Sequence, residues 1–382
     1  MSESPAGPAE PAGPEDRGDH LGEPGEALSE TAAAVPTAQT KSLTRRIIEI
    51  SISVLAIIVI FVFVIPQVSG SEYGEVWGEV SKLSGWQVAA LVIAALVQII
   101  SYGWVLMSVL PGLKFSQGVV VNQASTAVSN VVPFGGAIGI AISYAMLVSW
   151  NFSVAAITLS IVVSGFWNIF VKLGLPVIAL ALLAFEGDLQ GGFIIVAAIG
   201  VGVLVGAILV FTLVLKSDAL ARSIGRAGQA CVSFFARLVK RPAARGWDTK
   251  AVEFRNQSID LVSANWLKLT ASTILFYVLL YVVLLLCLRF LGIPDSEISW
   301  IVVFGAFAFS RLLSALPITP GGLGFVEAGT IGLLTAGFDG STAAVAGAVL
   351  LWRALTFFLP VPLGALSYMV WALKRGWRVE TT

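Results

Sequence analysis

Histidine is almost missing from this chain of 382 residues: the single one, His20, lies in an N-terminal stretch of Pro, Gly, Ala and Glu. A histidine-based metal centre or a Ser-His-Asp type triad in the body of the protein is therefore excluded, which leaves carboxylate or lysine chemistry at most and weakens every enzymatic reading. Cysteine is nearly as scarce. Cys231 and Cys287 stand far apart, so neither a disulfide framework nor a thiolate metal site is expected. Charge is scarce too: 12% of residues are charged and 57% hydrophobic, with a mean hydropathy of +0.89, against about 25% charged in an ordinary soluble domain. That shortage excludes a soluble fold and implies an all-α polytopic membrane protein with no cofactor and no nucleic-acid partner.

The balanced net charge hides a division. Residues 1–40 hold eight acidic side chains, from Glu3 to Glu30, against Arg17 alone. This stretch has no hydrophobic period and too little apolar area to offset the entropy of ordering, so it is expected to be a disordered tail. It is too long and too acidic for the n-region of a secretory signal, and the apolar run from Ile47 is expected to be an uncleaved anchor. Lys41, Arg45 and Arg46 hold its start in the cytoplasm.

Spanning helices need about 20 mostly apolar residues. About six such spans are expected, at 47–65, 86–110, 154–185, 191–215, 266–291 and 342–373. The third contains Pro176 and the last Pro360 and Pro362; each is best read as one kinked or tilted span, with a split into two helices as the alternative. Lys and Arg set the orientation. The linker 216–265 carries Lys216, Arg222, Arg226, Arg237, Lys240 and further basic residues and is expected inside, as are both termini. Part of that linker, with Leu220, Ile224, Cys231, Phe234 and Leu238 on one helical face, reads as a basic amphipathic helix at the membrane surface or as an orientation signal alone.

Two apolar stretches are broken by proline and paired glycines, at Pro133, Gly135 and Gly136 and again at Pro320, Gly321, Gly322 and Gly324. Proline removes a backbone donor and glycine relaxes the helix, so bare peptide groups appear at a depth where lipid cannot satisfy them. Counting crossings against the charge pattern makes residues 115–150 a re-entrant hairpin from the cytoplasmic side. Residues 299–337 become a second hairpin from the outer side. The chain then contains two units of span, hairpin and span, at 86–185 and 266–373, in opposite orientation: an inverted repeat. Matching breaks in two halves point to a transporter site.

Ionisable groups within the membrane are costly, by about 2.5–3.5 kcal/mol on insertion scales, and call for a partner or a role. Four are candidates: Lys172 in the third span, Arg311 and Glu327 on the two arms of the second hairpin, and Arg353 in the last span. Arg311 and Glu327 are expected to pair across the hairpin, with Arg353 joining them, or Glu327 and Arg353 to form a buried ion pair that only fixes helix register. Two cations, one carboxylate and the amides of Gly321 to Gly324 would suit an anionic group such as a lipid phosphate. Before the first break, Asn122, Gln123, Ser125, Thr126, Ser129 and Asn130 form a polar arm that suggests a hydrated cavity, and Asn168 is expected either to face it or to bond between helices.

The run Leu316-Pro317-Ile318-Thr319-Pro320-Gly321-Gly322-Leu323-Gly324-Phe325-Val326-Glu327, followed by Leu351-Trp352-Arg353 and Pro360 to Gly364, resembles the signature of the lysylphosphatidylglycerol synthase transmembrane family; Asn130 to Gly136 resembles its earlier element. The resemblance covers about residues 45–375. It implies a flippase-like protein of the bacterial inner membrane, similar to the flippase part of the multiple peptide resistance factor. It also implies functional roles for Glu327 and Arg353. The implied partners are membrane lipids with an anionic headgroup and a separate lipid-synthesis enzyme, since the soluble aminoacyltransferase domain of long members is not expected after Thr382. In the family an acidic residue and an arginine commonly follow the first break, whereas Ala137 to Tyr144 carries no charge. The alternative is a lipid-modifying transferase or a non-transporting subunit of a lipid synthase.

Overall fold

The computed structural model describes residues 72–131, 135–186, 191–220, 247–314, 319–336 and 338–374, with a few single positions between 222 and 233. The expected tail, the anchor at 47–65, Pro133 and most of the amphipathic segment lie outside the described residues. Those described fold into helices without strands: α1 (Tyr73–Ser81), α2 (Gly85–Val109), α3 (Phe115–Val131), α4 (Gly135–Val148), α5 (Val154–Glu186), α6 (Gly191–Lys216), α7 (Trp247–Phe290), α8 (Trp300–Leu313), α9 (Phe325–Thr335), α10 (Thr342–Arg353) and α11 (Pro360–Leu373). Five helical segments are long and apolar enough to span a membrane, and they coincide with the five expected spans that fall in described sequence.

Local chemistry explains the boundaries. The N-terminal amides of α2 are capped by Ser84 in a reciprocal box with Gln87, and those of α8 and α10 by the hydroxyls of Ser299 and Ser341. Helix α5 continues through Pro176 as one helix of 33 residues, about 50 Å long at 1.5 Å per residue, so it crosses a hydrocarbon core of about 30 Å at a tilt. The last span is instead interrupted. Pro360 has no N–H to give, and between α10 and α11 the chain widens into a π turn, Ala354–Phe358, in which Leu359 N–H donates to Ala354 C=O at 2.9 Å. Helix α7 starts earlier than the sequence suggests: residues 247–265, expected as linker, continue the helix of the span N-terminally. Arg255 ties this extension to the end of α6, donating to Leu215 C=O at 2.7 Å and pairing with Asp218 at 2.5 Å.

Helices α2 and α7 pack along one another antiparallel. Trp86 at the start of α2 meets Phe290 at the end of α7, ring to ring at 5.2 Å, while Ser108 near the end of α2 lies 3.5 Å from Ser272 early in the apolar part of α7. The hairpins α3–α4 and α8–α9 therefore start from opposite ends of the bundle. Each also returns to the end it left. Gly112, leading into α3, lies beside the ring of Phe152, leading out of α4, and Glu297, before α8, shares a surface cavity with Asp339, after α9.

The packing is reciprocal. Helix α3 of the first hairpin packs on α11, the end of the second unit, and α8 of the second hairpin packs on α5, the end of the first. At the first of these contacts the backbones nearly touch: a Cβ on Gly364 would run into Ala127 and the carbonyl of Gln123. Close approach through small residues suits a setting where van der Waals contact rather than water exclusion holds helices together. The hairpin tips meet too, α3 contacting the 3-10 turn Pro320–Gly322.

Candidate functional site

Glu327 lies in the first turn of α9, wholly buried. Its Oε2 accepts the Gly324 N–H at 2.7 Å, and its Oε1 accepts from Nε of Arg353 at 2.6 Å. The carboxylate sits at the N-terminal, positive end of the α9 dipole, and its short charge-assisted bonds replace contacts that burial removes. Nη2 of Arg353 also donates to Gly321 C=O at 3.2 Å, and its guanidinium lies 4.5 Å from the Phe357 ring centre. One ion pair thus fastens the broken backbone to the last span just before its π turn.

The glycines hold the turn open by conformation. Gly321 (φ 61°), Gly322 (φ 71°) and Gly324 (φ 86°) all occupy the left-handed region, which costs any other residue about 1–2 kcal/mol. Gly321 faces Phe357 so closely that a Cβ would enter the ring. Two of the amides that the sequence suggested as an open anion nest are already taken. Gly324 N–H is taken by Glu327 and Gly322 N–H donates to Thr319 C=O at 3.1 Å.

Arg311, near the end of α8, does not pair with Glu327 as expected, because Arg353 and Gly324 already occupy both carboxylate oxygens. Its guanidinium instead packs against a pair of adjoining aromatic rings, 4.9 Å from the centre of Trp352 and 5.5 Å from that of Phe307, which are themselves 6.2 Å apart and edge to face. Arg311 is 8% exposed, and its Nε and Nη2 are buried without a hydrogen-bond partner among the described residues. Lys172, half-buried on α5, forms no hydrogen bond or ion pair there either and lies within Coulombic reach of Arg311. Trp352 is itself fixed by an indole N–H bond to Leu280 C=O at 3.2 Å.

At the first break, Nδ2 of Asn130 donates to Phe357 C=O at 2.9 Å. Gly135 is pressed against Val128 and Ser129 of α3, so it serves close packing of the hairpin arms, whereas Gly136 is open. Among the polar arm, Asn122 and Ser125 line a cavity of 160 Å³ together with Tyr102, Ser143, Ser160 and Ser164; Gln123 turns away to Ile99 C=O at 3.3 Å. Asn168 joins helices instead of facing that arm, donating to Tyr102 Oη at 2.9 Å and accepting from Tyr277 Oη at 3.1 Å.

Phe307, Trp352 and Phe357 carry much of this geometry; Trp352 entered the sequence reading only as part of the family signature, and Phe307 and Phe357 were not singled out. A signal exists: Phe307 precedes Arg311 by four residues and Phe357 follows Arg353 by four, the spacing that stacks side chains on a helix. No curated protein matches the sequence. The family described as the lysylphosphatidylglycerol synthase TM region matches residues 47–364, which include both breaks and every charged residue of the site, and the chain belongs to that family.

Proposed function

We propose that this multi-pass protein is a lipid translocase of the bacterial inner membrane, with both termini cytoplasmic, that carries an anionic headgroup between leaflets. The candidates are anionic or aminoacylated phospholipids and polyprenyl-phosphate lipids. One observation carries the proposal: two broken hairpins start from opposite ends of the bundle, their tips touch, and Asn130 of the first is bonded to Phe357 in the last span, beside the buried Glu327–Arg353 pair. In a bilayer these hairpins are re-entrant, and the units 86–185 and 266–373 are inverted repeats of one another. Discontinuous helices meeting between inverted units are how secondary transporters build a midplane site. The passage runs past Arg311, Lys172 and the second break, with the polar cavity beside α3 on the opposing side.

A transferase using Glu327 as base requires a free carboxylate oxygen and a second catalytic group nearby. Both oxygens of Glu327 already accept a hydrogen bond, and of the two candidate second groups Lys172 makes no hydrogen bond or ion pair with Glu327 while Asp339 lies in the terminal loop beside Glu297, so the geometry favours transport.

Proteoliposomes test the proposal. Headgroup-labelled anionic phospholipid and polyprenyl-phosphate lipid are expected to change leaflet faster with the protein than with the Glu327→Gln variant, assayed below the variant's unfolding temperature. Equal rates for both lipids with wild type, variant and protein-free vesicles would overturn it.

A further inference from the structure

We infer that the side-on fork of Arg311, assisted by Lys172, is the contact for a phosphate-type oxyanion, and that the Glu327–Arg353 pair holds the break in shape without touching that anion. The inference rests on the transport proposal and divides its charged residues into two roles. Nε and Nη2 lie on the same edge of a guanidinium, and in Arg311 both are buried without a partner among the described residues. Phe307 and Trp352 adjoin one another against the guanidinium and offer it ring faces, not acceptors for that edge. Two parallel N–H donors on a planar fork match two oxygens of one phosphate, the bidentate geometry for which arginine is suited and lysine is not.

Charge points the same way. Arg311 lies near Arg353 and the single carboxylate Glu327, whose oxygens accept from Arg353 and Gly324, and Lys172, within Coulombic reach of Arg311, has no carboxylate partner among the described residues. The surplus of two positive charges is the complement of a phosphate group, which carries one as a diester and up to two as a monoester. A buried charged donor without a partner is expensive, and the aromatic faces only partly offset that cost. The fork is closed from solvent, so filling it is coupled to movement of the elements around it. A ligand that binds only the rearranged form shifts that equilibrium, which is the requirement for alternating access.

The test uses the full-length protein in mild detergent, with melting temperature and tryptophan fluorescence as readouts. The probes are dioctanoyl phosphatidylglycerol, inorganic phosphate and dioctanoylglycerol. Phosphatidylglycerol is expected to raise the wild-type melting temperature and dioctanoylglycerol to leave it unchanged. Arg311→Lys, which keeps the charge and loses the fork, is expected to weaken phosphatidylglycerol binding by roughly tenfold or more, and Lys172→Gln to weaken it less. Arg311→Met is expected to abolish the shift while melting higher than wild type without ligand, since it removes an unpaired buried charge. An equal, Arg311-dependent shift with inorganic phosphate identifies free phosphate as a source; a shift with the lipid alone identifies the headgroup. The inference is overturned if no phosphate probe shifts the wild type, if Arg311→Lys responds like wild type, or if Arg311→Met melts lower without ligand. Lipid that fails to cross vesicles while the Arg311-dependent shift persists removes the transport proposal only. Lipid crossing that is unchanged in Arg311→Lys removes this inference only.

Discussion

The side-chain amide of Asn130 and the main-chain carbonyl of Phe357, 227 positions apart in sequence, are joined by a hydrogen bond of 2.9 Å. Phe357 is held on two further sides, by the Arg353 guanidinium over its ring and by Gly321 against the ring edge. One residue of the π turn therefore links the tip of the first hairpin to the broken backbone of the second. Movement of either hairpin has to pass through this joint or release it.

Releasing the joint chemically should separate stability from transport. Asn130→Ala removes one partly buried neutral hydrogen bond, with an expected cost of about 1 kcal/mol, small enough to leave the protein folded in detergent. Lipid movement in vesicles is expected to change by far more than this stability loss implies. A variant that melts slightly lower and moves lipid at the wild-type rate would show that the bond is only structural.

The contact between Gly321 and Phe357 gives a sharper test, because two separable costs meet at one glycine. In Gly321→Ala the left-handed conformation costs about 1–2 kcal/mol, and the collision with Phe357 adds roughly 1–3 kcal/mol of overpacking. Phe357→Leu removes the ring. In that background Gly321→Ala is expected to cost about 1–2 kcal/mol, the conformational part alone. Thermal unfolding of the four proteins of the cycle reads the difference, and equal costs in both backgrounds would mean the ring yields freely.

The Glu327–Arg353 pair is buried on both sides, with side chains 0% and 5% exposed. Removing one member leaves a charge without its partner, an expected loss of about 3–5 kcal/mol for Glu327→Gln or Arg353→Met alone. The double variant Glu327→Gln, Arg353→Met leaves no charge stranded and is expected to be more stable than either single variant. Purely additive losses in unfolding temperature would remove the pair as a coupled unit.

These relationships differ in how far sequence exposes them. The described spans were legible because an apolar run of about 18 residues or more matches the thickness of a bilayer and exceeds what most buried helices of soluble domains need. The helix breaks were legible because proline with paired glycines interrupts such runs in both halves of the sequence. The partner of Glu327 was not settled. Arg311 and Arg353 are both candidates by depth, and only the packing of α9 on α10 brings Arg353 within 2.6 Å. The π turn was hidden as well, since Pro360 marks a kink without saying how the freed carbonyls are satisfied. The amides of Gly321 to Gly324 looked open because sequence shows donors and not the local acceptors, Thr319 C=O and Glu327, that take two of them.

The opposed hairpins are tested by labelling from one side of the membrane. With Cys231→Ser and Cys287→Ala as background, single cysteines are introduced at Lys114 and Ser153, which flank the first hairpin, and at Ser296 and Asp339, which flank the second; all four sites are exposed. On the proposed orientation, in which the basic residues Lys216, Arg222, Arg226 and Arg255 mark the cytoplasmic side, the Lys114 end is expected inside. A membrane-impermeant maleimide applied to intact cells is expected to label Ser296→Cys and Asp339→Cys and to spare Lys114→Cys and Ser153→Cys, with all four reacting after permeabilisation. Each pair must behave alike, because a hairpin that leaves by the side it came from cannot divide its flanks. The two pairs must behave oppositely, because antiparallel α2 and α7 deliver the hairpins to opposite ends. If Lys114→Cys and Ser153→Cys differ, α3 and α4 together cross the bilayer. The second unit then no longer mirrors the first, and the inverted repeat is lost with it.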